Sequence, residues 1–220
     1  AILAVASGPV AMAAPAAESP ADKALATVPA WEFESNNASA AAGTAAVTLG
    51  DVNGDGFSDV AVGAPNFDGP GQNQTNGGAV FVFFGRTTGP ALAPDQSFFS
   101  DRGSFGETVA PAGDVNGDGY HDMLVGAPRS GDGRAYVYLG SAGGLQASPV
   151  WQYLHNDGNA AASYFGSSLA TAGDINADGY DDIIIGAWNN NGGQGAAFVW
   201  LGNSGGVNAG AQWSTGGSAG

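Results

Sequence analysis

DVNGDGFSDVAVGAP at residues 51–65 returns as DVNGDGYHDMLVGAP at 114–128 and as DINADGYDDIIIGAW at 174–188, at intervals of 63 and 60 residues. A fixed period of this size marks stacked units that share a core. Working outward, each copy is preceded nine residues earlier by a pair ending in glycine, namely Ala42-Gly43, Phe105-Gly106 and Phe165-Gly166. Each is followed by an apolar run, AVFVFF from Ala79, RAYVYL from Arg134 and AAFVWL from Ala196, which stops at Gly85, Gly140 and Gly202. Between these landmarks the chain is punctuated by Gly, Pro, Asn and Asp, and no segment holds a helical period over about ten residues.

Each unit therefore reads as four short strands. The first is TAAVTLG, ETVAPAG or SSLATAG and the second DVAVGAP, DMLVGAP or DIIIGAW. The apolar run is the third, and QSFFS, VWQYL or AQWS is the fourth. The third strand is apolar on both faces: Phe81, Phe83 and Phe84 cannot all avoid water on one side of an open sheet, so it belongs between two layers. Four-stranded antiparallel units of even length, repeated, predict an all-β fold built of β-propeller blades. Blade one is expected at about 42–100, blade two at about 105–155 and blade three at about 165–214, within a segment covering 31–220. Trp31–Phe33 resembles a fourth strand but precedes the first blade, as a spare N-terminal outer strand of a partial ring would. Three blades fall short of the four to eight that close a propeller, so further blades or a second copy are expected to complete the ring.

The loop between strands one and two carries the chemistry. Its side-chain oxygens come from Asp51, Asn53, Asp55 and Asp59, from Asp114, Asn116, Asp118 and Asp122, and from Asp174, Asn176, Asp178 and Asp182. Gly56, Gly119 and Gly179 permit a sharp turn, and Phe57, Tyr120 and Tyr180 can each offer a backbone carbonyl. Hard oxygen donors in this number suit calcium, whereas magnesium resists so much dehydration and zinc would call for His or Cys. An Asx-rich hairpin turn would use the same residues without metal. Three copies, each with an additional Asp at position nine, favour calcium, about three ions in all, since three carboxylates per loop repel one another without a cation. Position twelve is Val62, Val125 or Ile185 where an EF-hand has Glu, which excludes that motif.

The combination of Phe-Gly, the Asp-rich loop and Gly-Ala-Pro at about 60 residues per unit resembles the FG-GAP repeat of the seven-bladed propeller in integrin α subunits and in many secreted bacterial proteins. The resemblance implies an extracellular, calcium-binding propeller used for adhesion or ligand recognition, with the metal in a hairpin loop at the blade edge. Departures are few: Ala42 replaces Phe, Trp188 replaces Pro, and Ala177 replaces Gly at position four of loop three. None removes a calcium oxygen.

Composition agrees. With 20 acidic against 5 basic residues, a net charge of −15 and no Cys, the chain has no disulfide framework or thiolate metal site, and nucleic acid is disfavoured as a partner. Residues 1–30 read as a signal-peptide remnant with an Ala/Pro linker, too interrupted to span a membrane, which points to a secreted or cell-surface, bacterial protein. A protein or carbohydrate ligand is expected on the face opposite the calcium loops, where Phe67, Arg129 and Trp188 are candidate contacts. No catalytic constellation can be assembled: His121 and His155 read as surface residues, and there is no G-x-S-x-G, H-E-x-x-H or phosphate loop. The chain reads as a binding module and not an enzyme; the competing reading is a non-catalytic propeller segment of a larger secreted hydrolase or lyase.

Overall fold

The computed structural model describes residues 31–69, 77–101, 103–156, 158 and 162–216. The expected leader at 1–30 and part of the loop after Phe67 lie outside them. The chain divides into two units, Ala1–Glu32 and Phe33–Gly220. Only Trp31 and Glu32 of the first are described.

The second unit contains three antiparallel sheets of four strands. Sheet one is β1 (Ala45–Gly50), β2 (Asp59–Ala64), β3 (Ala79–Phe83) and β4 (Gln96–Phe99), paired in chain order. Sheet two is β5 (Thr108–Gly113), β6 (Asp122–Ala127), β7 (Arg134–Tyr138) and β8 (Trp151–Leu154), again in chain order. Sheet three is β9 (Phe165–Gly173), β10 (Asp182–Ala187), β11 (Ala196–Trp200) and, after a two-residue ribbon of β12 (Gly202–Asn203) and β13 (Gly206–Val207), β14 (Trp213–Gly216). These are the expected propeller blades, and the ring is not closed among the described residues. Asn190–Gly193 is a tight turn, with positive φ at Asn191 and Gly192.

Alternation along the strands divides the core in two. In β6 and β7, Met123, Val125, Tyr136 and Tyr138 face blade one, where they meet Val80, Val82 and Phe98. Leu124, Ala135 and Val137 point the other way, towards Ile183, Ile185 and Trp200 of blade three. Blade two is thus buried on both faces, as the doubly apolar third strand requires. Phe81 and Phe83 turn away from blade two and are covered by aromatic neighbours, with Phe33 5.1 and 4.9 Å from them and Phe67 5.2 Å from Phe81.

The paired-glycine landmarks have a common cause in how blades meet. Phe105 and Phe165, both fully buried, fill the gap between their own blade and the preceding one. Their amides bond back across that gap, Phe105 N–H donating to the Gly77 carbonyl at 3.3 Å and Phe165 N–H to the Asp132 carbonyl at 3.1 Å, while the following Gly106 N–H donates within its own blade to the Gly126 carbonyl at 3.0 Å. A Cβ on Gly63 would lie 2.0 Å from the Gly106 oxygen, and one on Gly126 would lie 2.4 Å from the Gly166 oxygen. The glycine of Gly-Ala-Pro therefore exists to admit the backbone of the next unit's Phe-Gly.

The spare N-terminal strand is not formed: residues 31–36 adopt no strand. Blade three has its own fourth strand, as expected, with β14 pairing Val199 with Trp213 and Ala196 with Gly216. Phe33 instead covers the aromatic face of blade one.

Candidate metal centre

Each acidic loop starts after a glycine with positive φ, Gly50 (83°), Gly113 (83°) or Gly173 (67°), and turns at position six on Gly56 (88°), Gly119 (91°) or Gly179 (93°). Position four is left-handed too, at Gly54 (74°), Gly117 (71°) and Ala177 (60°); the last strains an alanine by about 1 kcal/mol.

The first aspartate folds the loop around itself. Asp51 accepts the amides of Gly54 (2.7 Å), Asp55 (3.1 Å) and Gly56 (2.8 Å). Asp114 accepts those of Asp118 and Gly119, and Asp174 those of Asp178 and Gly179. The position-three amide then donates to the position-five carboxylate, Asn53 to Asp55 at 3.0 Å, Asn116 to Asp118 at 2.9 Å and Asn176 to Asp178 at 2.8 Å. Position five in turn accepts the N–H of Phe57, Tyr120 or Tyr180.

Position nine is different. Asp59, Asp122 and Asp182 are fully buried at the start of the second strand. One oxygen of each accepts the amide of the loop's second residue, Val52, Val115 or Ile175, at 2.8–2.9 Å. The other accepts the amide of the glycine ending the third strand's run, Gly85, Gly140 or Gly202, at 2.8 Å. This carboxylate ties the loop to the blade, and since each oxygen has two lone pairs the bonds do not exhaust its capacity as a ligand.

The charges decide whether these residues suit a cation. All donors are hard oxygens, and the ion pairs Arg86–Asp95 and Arg129–Glu107 lie outside the loops. Burial pushes the Asp122 carboxyl up to about 7, against the pull of the Gly140 and Val115 amides and with the help of the facing Asp114 and Asp118. Burial raises Asp59 in the same way, with Asp55 and Asp51 adding to it. For Asp51 burial also pushes upward, but the amides of Gly56, Gly54, Asp55 and Asn53 together bring it below the usual range. The donor set thus fits a hard divalent cation, which would relieve carboxylates that now oppose one another's ionisation. Among the described residues, no three acidic or histidine side chains stand close enough together to hold an ion as they are arranged.

The loops between second and third strands lie at the opposite end of each blade, as antiparallel order requires. Phe67 is committed to packing, stacked on Phe99 at 5.7 Å and against Phe81. Arg129 pairs with Glu107 at 3.0 Å. Trp188 is 60% exposed and stacks on Tyr164 at 4.7 Å, so it does not cover its own blade's core. No helix among the described residues is long and apolar enough to cross a membrane.

Of the two histidines, both expected at the surface, only one is found there. His155 is 6% exposed, stacked on Phe165 at 5.2 Å, with Nε2 bonded to Asn190 at 2.8 Å. Its burial comes from blade three, which local sequence does not reveal. His121 is exposed but is bonded to Asp51 of the preceding blade, a role that Asp181 repeats one blade on.

Comparison with known proteins gives a consistent picture. Residues 43–83, 105–138 and 165–200 match the model of the FG-GAP repeat. The chain is 38% identical over 148 residues to integrin alpha-3 of Cricetulus griseus, 36% over 143 to integrin alpha-6 of Gallus gallus and 34% over 149 to integrin alpha-PS5 of Drosophila melanogaster. Each match covers 64% of this chain and 13–14% of the relative, so the chain spans about one seventh of their length.

Proposed function

The chain belongs to the FG-GAP repeat family, and from that premise we propose that it is an extracellular β-propeller module for adhesion or ligand recognition, with calcium as a structural clip in its three acidic loops. The observation that carries the reading is the threefold loop of oxygen donors, with no basic side chain ion-paired to it among the described residues, in which facing carboxylates help burial hold Asp122 near 7. Asp51, Asn53, Asp55, the Phe57 carbonyl and Asp59 would hold the first ion. Their equivalents, through Tyr120 and Tyr180, would hold the second and third. Calcium supplies charge neutralisation here, and this chain's residues supply the fold that orders the donors. Extracellular calcium modules bind at about 10⁻⁴ to 10⁻³ M, so each ion would add on the order of 1 kcal/mol at millimolar calcium.

Recognition belongs at the other end of the blades. Trp188 presents an exposed ring backed by Tyr164 and flanked by Asn189 and Asn191, an arrangement suited to a carbohydrate or a protein side chain. Immobilised protein would be screened against glycans and matrix proteins, with the Trp188→Ala variant in parallel. The expected result is a ligand whose binding falls at least about tenfold in the variant while the thermal midpoint holds. Equal binding by both forms would remove Trp188 from the recognition surface.

A further inference from the structure

The acidic loops of successive blades are joined to one another. Asp51 N–H donates to His121 Nδ1 at 2.8 Å, and His121 N–H donates back to the Asp51 carbonyl at 3.0 Å. One blade on, Asp114 N–H donates to Asp181 Oδ2 at 2.8 Å, and Asp181 N–H donates to the Asp114 carbonyl at 3.0 Å. Beside each clasp a third bond joins the loop's second residue to the next blade, Ser141 N–H to the Val52 carbonyl and Asn203 N–H to the Val115 carbonyl, both 3.1 Å. The eighth residue of one loop thus holds the first residue of the loop before it through both that residue's N–H and its carbonyl.

The sequence is cut to fit this joint. A Cβ on Gly50 would lie 2.2 Å from His121 Nδ1, and one on Gly113 would lie 2.1 Å from Asp181 Oδ2. Gly54 and Gly117 lie beneath the Tyr120 and Tyr180 rings, where a Cβ would stand 2.6 and 2.9 Å away. Loop three provides the contrast. Nothing lies within 4 Å of a Cβ built on Gly173, position four is Ala177, and Ile175 is 58% exposed where Val52 and Val115 are fully buried.

We propose that His121 and Asp181 are positioning residues for the cation site of the preceding blade, so that calcium binding in one loop and docking of the next blade reinforce each other. This rests on the calcium reading of the loops. Asp51 and Asp114 each have two tasks: the carboxylate gathers its own loop's amides, and the backbone is fixed from outside by the next blade. Fixing that backbone beforehand removes freedom that ion binding would otherwise have to remove, and linkage makes the benefit reciprocal. Loop three has its own amide bonds but, among the described residues, no clasp, and so serves as the internal reference.

Amide resonances of the full chain test this site by site during a calcium titration. Gly56, Gly119 and Gly179 each donate to the first aspartate of their own loop and report on it. In His121→Ala, the calcium affinity read at Gly56 is expected to fall about fivefold to tenfold while that at Gly179 stays unchanged. His121→Asn, which keeps an acceptor in place of Nδ1, is expected to restore it. Asp181→Ala is expected to act at Gly119, and Asp181→Asn, which loses the charge but keeps the acceptor, is expected to retain most of the affinity. Unchanged titration at Gly56 and Gly119 in the alanine variants overturns the proposal, as does an equal loss at all three reporters that His121→Asn fails to rescue. If none of the three amides of the unaltered chain responds to calcium, the calcium reading itself fails, a result that needs no variant.

Discussion

At the scale of single residues, the aspartate at position nine is the most constrained in each loop. Asp122 is fully buried and spends both oxygens on amides, those of Val115 and Gly140. Asp122→Ala leaves two buried donors without partners and is expected to cost about 2–4 kcal/mol of stability. Asp122→Asn is expected to cost nearly as much, because an amide can offer only one acceptor and its NH₂ then faces a donor. Denaturant unfolding without calcium checks this, and a loss below about 1 kcal/mol in both variants would contradict the bracing role. The motif marks these aspartates as ligands, yet nothing in the spacing says that they also brace the loop against the third strand. Position eight is harder still to read, since Ser58, His121 and Asp181 share no side-chain type. Its role depends on a partner about 70 residues away, and local sequence carries no trace of that partner.

At the scale of strands and blades, the four-strand pattern is legible in the sequence because glycines and Asx residues bound each short apolar run. The features that escape it come from contacts between elements. Trp31–Phe33 has the composition of an outer strand but forms none, and His155, after β8, is buried by Phe165 and Phe198 of the next blade. Blade packing explains the two glycine motifs and gives a matched comparison. Gly63→Ala would place a Cβ 2.0 Å from the Gly106 oxygen of the next blade, whereas at the equivalent Gly186 the nearest atom is the Ser168 Cβ of its own blade at 3.2 Å. The first substitution is expected to destabilise by about 3 kcal/mol and the second by roughly 1 kcal/mol or less. Equal costs, measured by thermal unfolding of the two variants, would show that the Gly-Ala-Pro glycine does not serve blade contact.

At the scale of the whole molecule, the negative charge and the repeat are one feature. Nine of the 20 acidic residues occupy the positions proposed to ligate calcium in three loops, and each ion would offset two of the fifteen excess charges. The loops share one end of the blades and the Trp188 platform lies at the other, so a metal there would steady the scaffold without occupying the surface assigned to a ligand. The central claim is that the three loops hold calcium, and calorimetric titration of the full chain tests it most directly. About three sites per chain are expected, with dissociation constants near 10⁻⁴ to 10⁻³ M, reduced to two when Asp114 and Asp118 are both replaced by Ala. No heat of binding in the native chain, or the same stoichiometry in that double variant, would contradict it.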